Sequence, residues 1–249
     1  QLVPEEINRK IVDHIADINL TYSDISRSYL INEGIPPDRV IKVGSPMLEI
    51  IRKNEKKINK SLILKKLKIN KNKYILLSIH REENLDYKNN LDIILDCIEY
   101  LSKKYTLILS LHPRTKNKLE KINFKFSANV IISKPFNFTD YIFLQKNSFC
   151  VISDSGTINE EASILGFDAI NFRDSHERPE STEEGSTFFI GINKTALIQT
   201  INIIMLNKIK KNKLKTKVVF DYNVTNVSDK IVKIIQSYTT FVNKKIWKK

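Results

Sequence analysis

The chain has 249 residues, 41% of them apolar, which is enough to bury one large core or two smaller ones and excludes a tiny disulfide-stapled scaffold. Its two cysteines, Cys97 and Cys150, sit inside apolar runs, and neither a secretory signal nor an apolar stretch near the ~20 residues of a membrane span appears in these residues, so a reduced cytoplasmic setting without membrane is expected. The net charge of +13 comes from 41 Lys and Arg against 28 Asp and Glu, but the excess is Lys interleaved with Asn and Ile and lacks the aromatic interleaving of a nucleic-acid platform. It fits solvated helix faces whose sign helps attract an anionic small molecule, with no nucleic-acid partner.

In chain order, Pro4 followed by Glu5 and Glu6 marks a helix start, and Ile7, Ile11, Ile15 and Ile18 form its apolar face. A short strand is expected at 18–20, a helix from Ser23 to Gly34, and a second strand at 40–43 that stops at Gly44-Ser45-Pro46. Residues 47–67 read as one helix with a basic outer face, and a domain seam is expected nearby. From there short apolar strands (74–79, 106–111, 129–132, 149–153, 168–172) alternate with helical patterns at 88–100, 139–145 and 158–165. Such alternation predicts an α/β fold with a doubly wound parallel sheet covered on both faces.

The first two of these strands end in histidine, at His80-Arg81-Glu82-Glu83-Asn84 and at His112-Pro113-Arg114-Thr115. A later strand stops at Ser153-Asp154-Ser155-Gly156-Thr157 and gives way to a helix, whose N–H groups and dipole make the turn a natural seat for phosphate. The next strand is followed by Arg173 and Arg178. In an open parallel sheet these turns share the crevice at the strand carboxyl ends, where arginines suit diphosphate and imidazole suits proton transfer. Locally the same residues also fit a capped turn and a surface Arg–Glu pair. No His/Cys set has zinc spacing, so no metal and no cofactor are expected. Ser155 lacks the second glycine, on its N-terminal side, of a hydrolase nucleophile elbow.

Taken together, PEEINR (4–9), GSP (44–46), HREEN (80–84), SDSGTINEE (153–161) and HERPE (176–180) resemble the non-hydrolysing UDP-N-acetylglucosamine 2-epimerases, in that family's order and over essentially the whole chain. The stretch from His14 to Asp24, GSPM (44–47), HPRT (112–115), SHERPE (175–180) and the closing DYNVTNVSDKIVKIIQSYTTFVNKKIWKK (221–249) are most similar to its capsule and O-antigen branch, which makes UDP-N-acetyl-L-fucosamine. The resemblance implies a GT-B type fold of two Rossmann-like halves. Residues 1–45 would be the remnant of the N-terminal half, whose beginning has no counterpart in this sequence. Residues 46–225 would be the UDP-binding C-terminal half, and 226–249 a helix returning to pack on the first half.

It further implies a UDP-sugar as ligand, a homodimer, and site residues position by position. Ser155, Gly156 and Thr157 would hold the diphosphate, Glu161 the ribose and Arg178 a phosphate, with Tyr141 near the uracil. His80 would line the sugar and diphosphate, and Glu5 would serve as an acid/base. Glu6, Arg81, His112 and Arg114 are further candidates. The implied reaction inverts C2 by elimination of UDP to a 2-acetamidoglycal and re-addition. A UDP-dependent GT-B glycosyltransferase and an inactive UDP-binding fragment are the alternatives.

Overall fold

The computed structural model describes residues 4–81, 84, 88–111, 119, 124–175, 178–210 and 218–249. Its helices, in chain order, are α1 (Pro4–Ile15), α2 (Asp24–Asn32), α3 (Met47–Asn59), α4 (Ile63–Leu67), α5 (Lys88–Ser102), α6 (Phe138–Lys146), α7 (Ile158–Leu165), α8 (Pro179–Glu183), α9 (Lys194–Ile209) and α10 (Val227–Phe241). The strands are β1 (Asn19–Thr21), β2 (Val40–Lys42), β3 (Tyr74–Ser78), β4 (Thr106–Ser110), β5 (Val130–Ser133), β6 (Cys150–Ser153), β7 (Ala169–Phe172) and β8 (Phe188–Ile190). They fall into two compact units, Gln1–Lys53 with Val218–Lys249 and Asn54–Lys217, so that the division runs through α3.

In the first unit β1 and β2 pair in parallel, and Ser23 caps α2 by accepting from the Ser26 N–H at 3.0 Å. Residues beyond 218 are tied to this pair by polar contacts. The Lys42 amine lies 2.5 Å from Asp24 and 2.9 Å from Asp221, and the Ser45 N–H donates to the Asp221 carbonyl at 3.0 Å. Burial alone would lower the Lys42 pKa; the two carboxylates overcome that and raise it. The Lys230 amine reaches the Val43 carbonyl at 3.1 Å and the Ser228 N–H reaches Glu49 at 3.1 Å. Gly44 at φ +91° occupies a backbone region closed to most side chains. It does so where a Cβ would stand 2.8 Å from Val224 Cγ2, so the GSP turn admits only hydrogen there. The stripe Ile7, Ile11 and Ile15 of α1, which the spacing marks as an apolar face, is 53%, 56% and 76% exposed.

The second unit is built on a six-stranded, all-parallel sheet in the order β5-β4-β3-β6-β7-β8. Both faces are covered, which is why its central strands are apolar at successive positions rather than at alternate ones. One face (Ile75, Leu77, Leu107, Leu109, Ile152, Ile170) packs against α5 and α9. The other (Tyr74, Leu76, Ile108, Val151, Ala169) packs against α4, α6 and α7. The Tyr74 hydroxyl, buried with its ring, donates to the Leu144 carbonyl at 2.7 Å, and burial raises its pKa.

Where the sequence reads as one helix over 47–67, the structure has two. Ser61 breaks it: its hydroxyl accepts from the Ile63 N–H at 3.2 Å and bonds the Asp140 carboxylate, opening a new helix start at α4. No helix among the described residues is long and apolar enough to cross a membrane.

Candidate functional site

The order of the sheet reverses between β3 and β6: chain connections run outward from this pair in opposite directions. At such a switch point the loops beyond the two strands diverge and leave a crevice at their carboxyl ends. His80 follows β3 and Ser155 to Thr157 follow β6, so both candidates flank that crevice.

Asp154 holds the two loops together. Its side chain is fully buried, and Oδ2 accepts from the His80 N–H at 3.0 Å, the Arg81 N–H at 2.9 Å and the Asn84 side-chain amide at 3.0 Å. Oδ1 faces the His80 ring, with Nδ1 at 3.3 Å, and the imidazole side chain is 45% exposed. A carboxylate taking two backbone N–H groups from the neighbouring strand's loop fixes that loop's path, so His80 is carried on a clamped segment. Nothing in local spacing marks this aspartate, because its partners lie 70 or more positions away.

The helix start has no side-chain cap, and its local hydrogen bonds from the Thr157 N–H to Ser155 Oγ and from the Asn159 N–H to the Gly156 carbonyl are long, each at 3.4 Å. Thr157 makes no side-chain cap to α7, while the Ser155 and Thr157 hydroxyls lie 3.0 Å apart at the exposed rim. N–H groups of a first turn without a cap are donors in search of an acceptor, and the dipole favours an anion. Within the helix Glu160 and Glu161 are buried although charged residues rarely are. Glu161 accepts from the Gln145 amide at 2.5 Å, and its pKa is raised mainly by burial, against the lowering effect of Gln145 and Thr157. The Tyr141 phenol is also pushed up, first by burial and then by the Glu161 charge, with Ser78, Gln145 and Ser153 as hydrogen-bonding neighbours. Tyr141, Glu161 and the ends of β3 and β6 are thus one cluster.

Arg178, just before α8, forms an ion pair with Glu160, whose side chain is almost wholly buried while that of the arginine is 24% exposed. The pair draws Arg178 back to the first turn of α7. Arg173, at the end of β7, is 1% exposed and donates to Ser175 Oγ at 2.6 Å.

Of the site residues read from sequence, His80, Tyr141, Ser155, Gly156, Thr157, Glu161 and Arg178 are brought to this end of the sheet, as is the Arg81 backbone. His112 and Arg114 lie outside the described residues, as do His176 and Glu177 of the HERPE stretch. Glu5 and Glu6 are at the start of α1 in the first unit; the Glu6 carboxylate is 3.8 Å from Arg9, and the Glu5 side chain is not among those described. Asp154 and Glu160 are the polar anchors that sequence reasoning passed over. Among the described residues no group of three His, Cys, Asp or Glu side chains could hold a metal ion.

The fold and the crevice define a doubly wound α/β protein with a helix start lacking a side-chain cap at its switch point, a histidine on one side and an arginine on the other. The chain belongs to the UDP-N-acetylglucosamine 2-epimerase family, whose model matches residues 1–236. A UDP-N-acetylglucosamine 2-epimerase of Methanocaldococcus jannaschii is 36% identical over 220 residues, which is 84% of this chain and 59% of that protein. Among solved structures, a UDP-N-acetylglucosamine 2-epimerase from Rickettsia bellii is 40% identical with a TM-score of 0.88, covering 99% of this chain and 66% of that one. The Methanocaldococcus jannaschii enzyme in complex with UDP-GlcNAc and UDP is 30% identical with a TM-score of 0.83, covering 94% and 65%. The chain therefore spans about three fifths of the length of that first relative. The α/β, parallel-sheet, GT-B type fold is that of these solved epimerases.

Proposed function

We propose that the chain binds a UDP-sugar at this crevice and takes part in inverting C2 of a UDP-N-acetylhexosamine. The observation that carries the reading is the start of α7 without a side-chain cap, with Arg178 tied to its first turn through Glu160 and His80 tied to the same loop through Asp154. Ser155, Gly156 and Thr157 take the diphosphate, Arg178 adds a cation, Glu161 accepts from the ribose hydroxyls, Tyr141 lies toward the uracil, and His80 borders the sugar.

The C2 proton of such a sugar is not acidic. It becomes removable as the C1–O bond to UDP breaks and positive charge grows on C1; proton and UDP leave together to give a 2-acetamidoglycal. Protonation of C2 on the opposite face and return of UDP to C1 complete the inversion. The donors at the helix start and Arg178 stabilise the departing diphosphate, and proton transfer on each face falls to His80 and to a carboxylate, for which Glu5 is our candidate. UDP-N-acetyl-L-fucosamine for capsule or O-antigen is the product we favour, made by a homodimer in the cytoplasm. A second reading is UDP binding without turnover.

Titration calorimetry of the chain with UDP tests binding: saturable heat supports the proposal, and none from a folded sample removes it. Incubation with UDP-N-acetylglucosamine in D2O tests chemistry. Deuterium at C2 with formation of the C2 epimer supports epimerisation, and binding without exchange supports the second reading. Sugar transfer to an acceptor with C2 retained would instead identify a glycosyltransferase.

A further inference from the structure

We infer that Asp154 is a positioning residue that sets the tautomer of His80, leaving Nε2 as the unprotonated nitrogen on the open side of the ring. The inference rests on the reading of the crevice as a UDP-sugar site only for its functional meaning; the geometry stands independently. Asp154 is fully buried, and its two oxygens are used differently. Oδ2 is saturated by three donors, the His80 and Arg81 N–H groups and the Asn84 amide. Oδ1 is buried and, among the described residues, has no hydrogen bond of good geometry.

A buried acceptor without a donor is costly, so a nearby N–H will turn toward it. The His80 Nδ1 atom, 3.3 Å away, is placed to supply that donor. A carboxylate can only accept, so the nitrogen facing it must carry the proton. In the neutral ring the second nitrogen is then a lone-pair acceptor. Because 45% of the His80 side chain is exposed while Asp154 is not, the protonated nitrogen faces inward and Nε2 is the one offered to a ligand. This makes His80 a ready proton acceptor on one face of a sugar, rather than a donor.

The test uses the whole chain labelled with 15N-histidine, with two-bond 1H–15N correlation spectra at pH 8 and the His80 signals identified by their loss in His80→Gln. The expected wild-type pattern is the Nδ1–H tautomer. Asp154→Asn keeps an oxygen for the backbone N–H groups but can turn an NH2 toward Nδ1, so the tautomer should switch to Nε2–H. An Nε2–H or doubly protonated ring in the wild type, or an Nδ1–H ring that persists in Asp154→Asn, overturns the inference. Should that variant fail to fold, the wild-type spectrum decides alone. UDP titration of the same samples separates the two claims: the expected tautomer without UDP binding removes the proposed function and leaves Asp154 its role, and UDP binding with the wrong tautomer does the reverse.

Discussion

Replacing Gly44 by alanine should destabilise the first unit, and the size follows from two separable causes. The φ of +91° costs an L-residue roughly 1–2 kcal/mol relative to glycine. The added methyl would also stand 2.8 Å from Val224 Cγ2 and 3.2 Å from the Asp221 carbonyl oxygen. Overpacking of that kind adds about 1–3 kcal/mol. Gly34 supplies the control, since its φ is +96° but a Cβ there would meet nothing within 4 Å. Gly34→Ala should therefore show only the backbone part. Trp247, the chain's one tryptophan, donates to Asp17 at 3.1 Å within the same unit, so its fluorescence during urea unfolding reports on that unit. With a urea dependence of about 2 kcal/mol per molar, the summed cost of roughly 2–5 kcal/mol lowers the Gly44→Ala midpoint by about 1–2.5 M. A Gly44→Ala midpoint no lower than that of Gly34→Ala would refute the reasoning, because it would mean that Val224 yields without cost.

Arg178→Ala should weaken UDP binding by about 10- to 100-fold, the worth of a charge-assisted hydrogen bond, and calorimetry with an unchanged Kd would show that the arginine serves only Glu160. Glu161→Gln should separate stability from binding. Burial raises the Glu161 pKa above 4.5, so its ionised form costs the folded state; that cost is absent below about pH 4.5 and appears as pH rises through the folded value. The variant should thus be more stable than the wild type at pH 7, with the difference vanishing toward pH 4.5 in urea titrations, while UDP binding falls by about tenfold; a variant less stable at pH 7 would contradict this. The Cys97 thiol is pushed up to about 12 by burial and by Asp96, and that of Cys150 is raised further by burial. Neither should react with a disulfide reagent at pH 8 in the native chain, and both should do so in denaturant; rapid native labelling would show the sheet face around them to be open.

The sheet of the second unit was legible because β3, β4, β6 and β7 are short, apolar and separated by helical periods, and because the strand ends carry His80 and Ser155. What escaped notice was short or depended on distant partners. β8 is only Phe188–Ile190, too brief to show a period, and its place at the sheet edge is fixed by pairing with β7. The break at Ser61 hides inside a run of Lys and Ile that keeps helical spacing throughout; its hydroxyl's bonds to the Ile63 N–H and to Asp140 are what set the serine apart. The same holds at the site. A serine-glycine turn and a histidine announce themselves, whereas Asp154 reads as one more loop acid and Glu160 as one more helix-face acid. Their importance lies in burial and in partners on other elements, which no local window contains.

Unit two is one uninterrupted stretch, Asn54–Lys217, but unit one is assembled from both sides of it. On the ribosome, then, the six-stranded sheet can be finished while the Lys42 amine still awaits Asp221 and the Gly44 turn still awaits Val224. The β1–β2 pair and its turn must therefore wait through some hundred and sixty intervening residues before the partners that tie them down are synthesised.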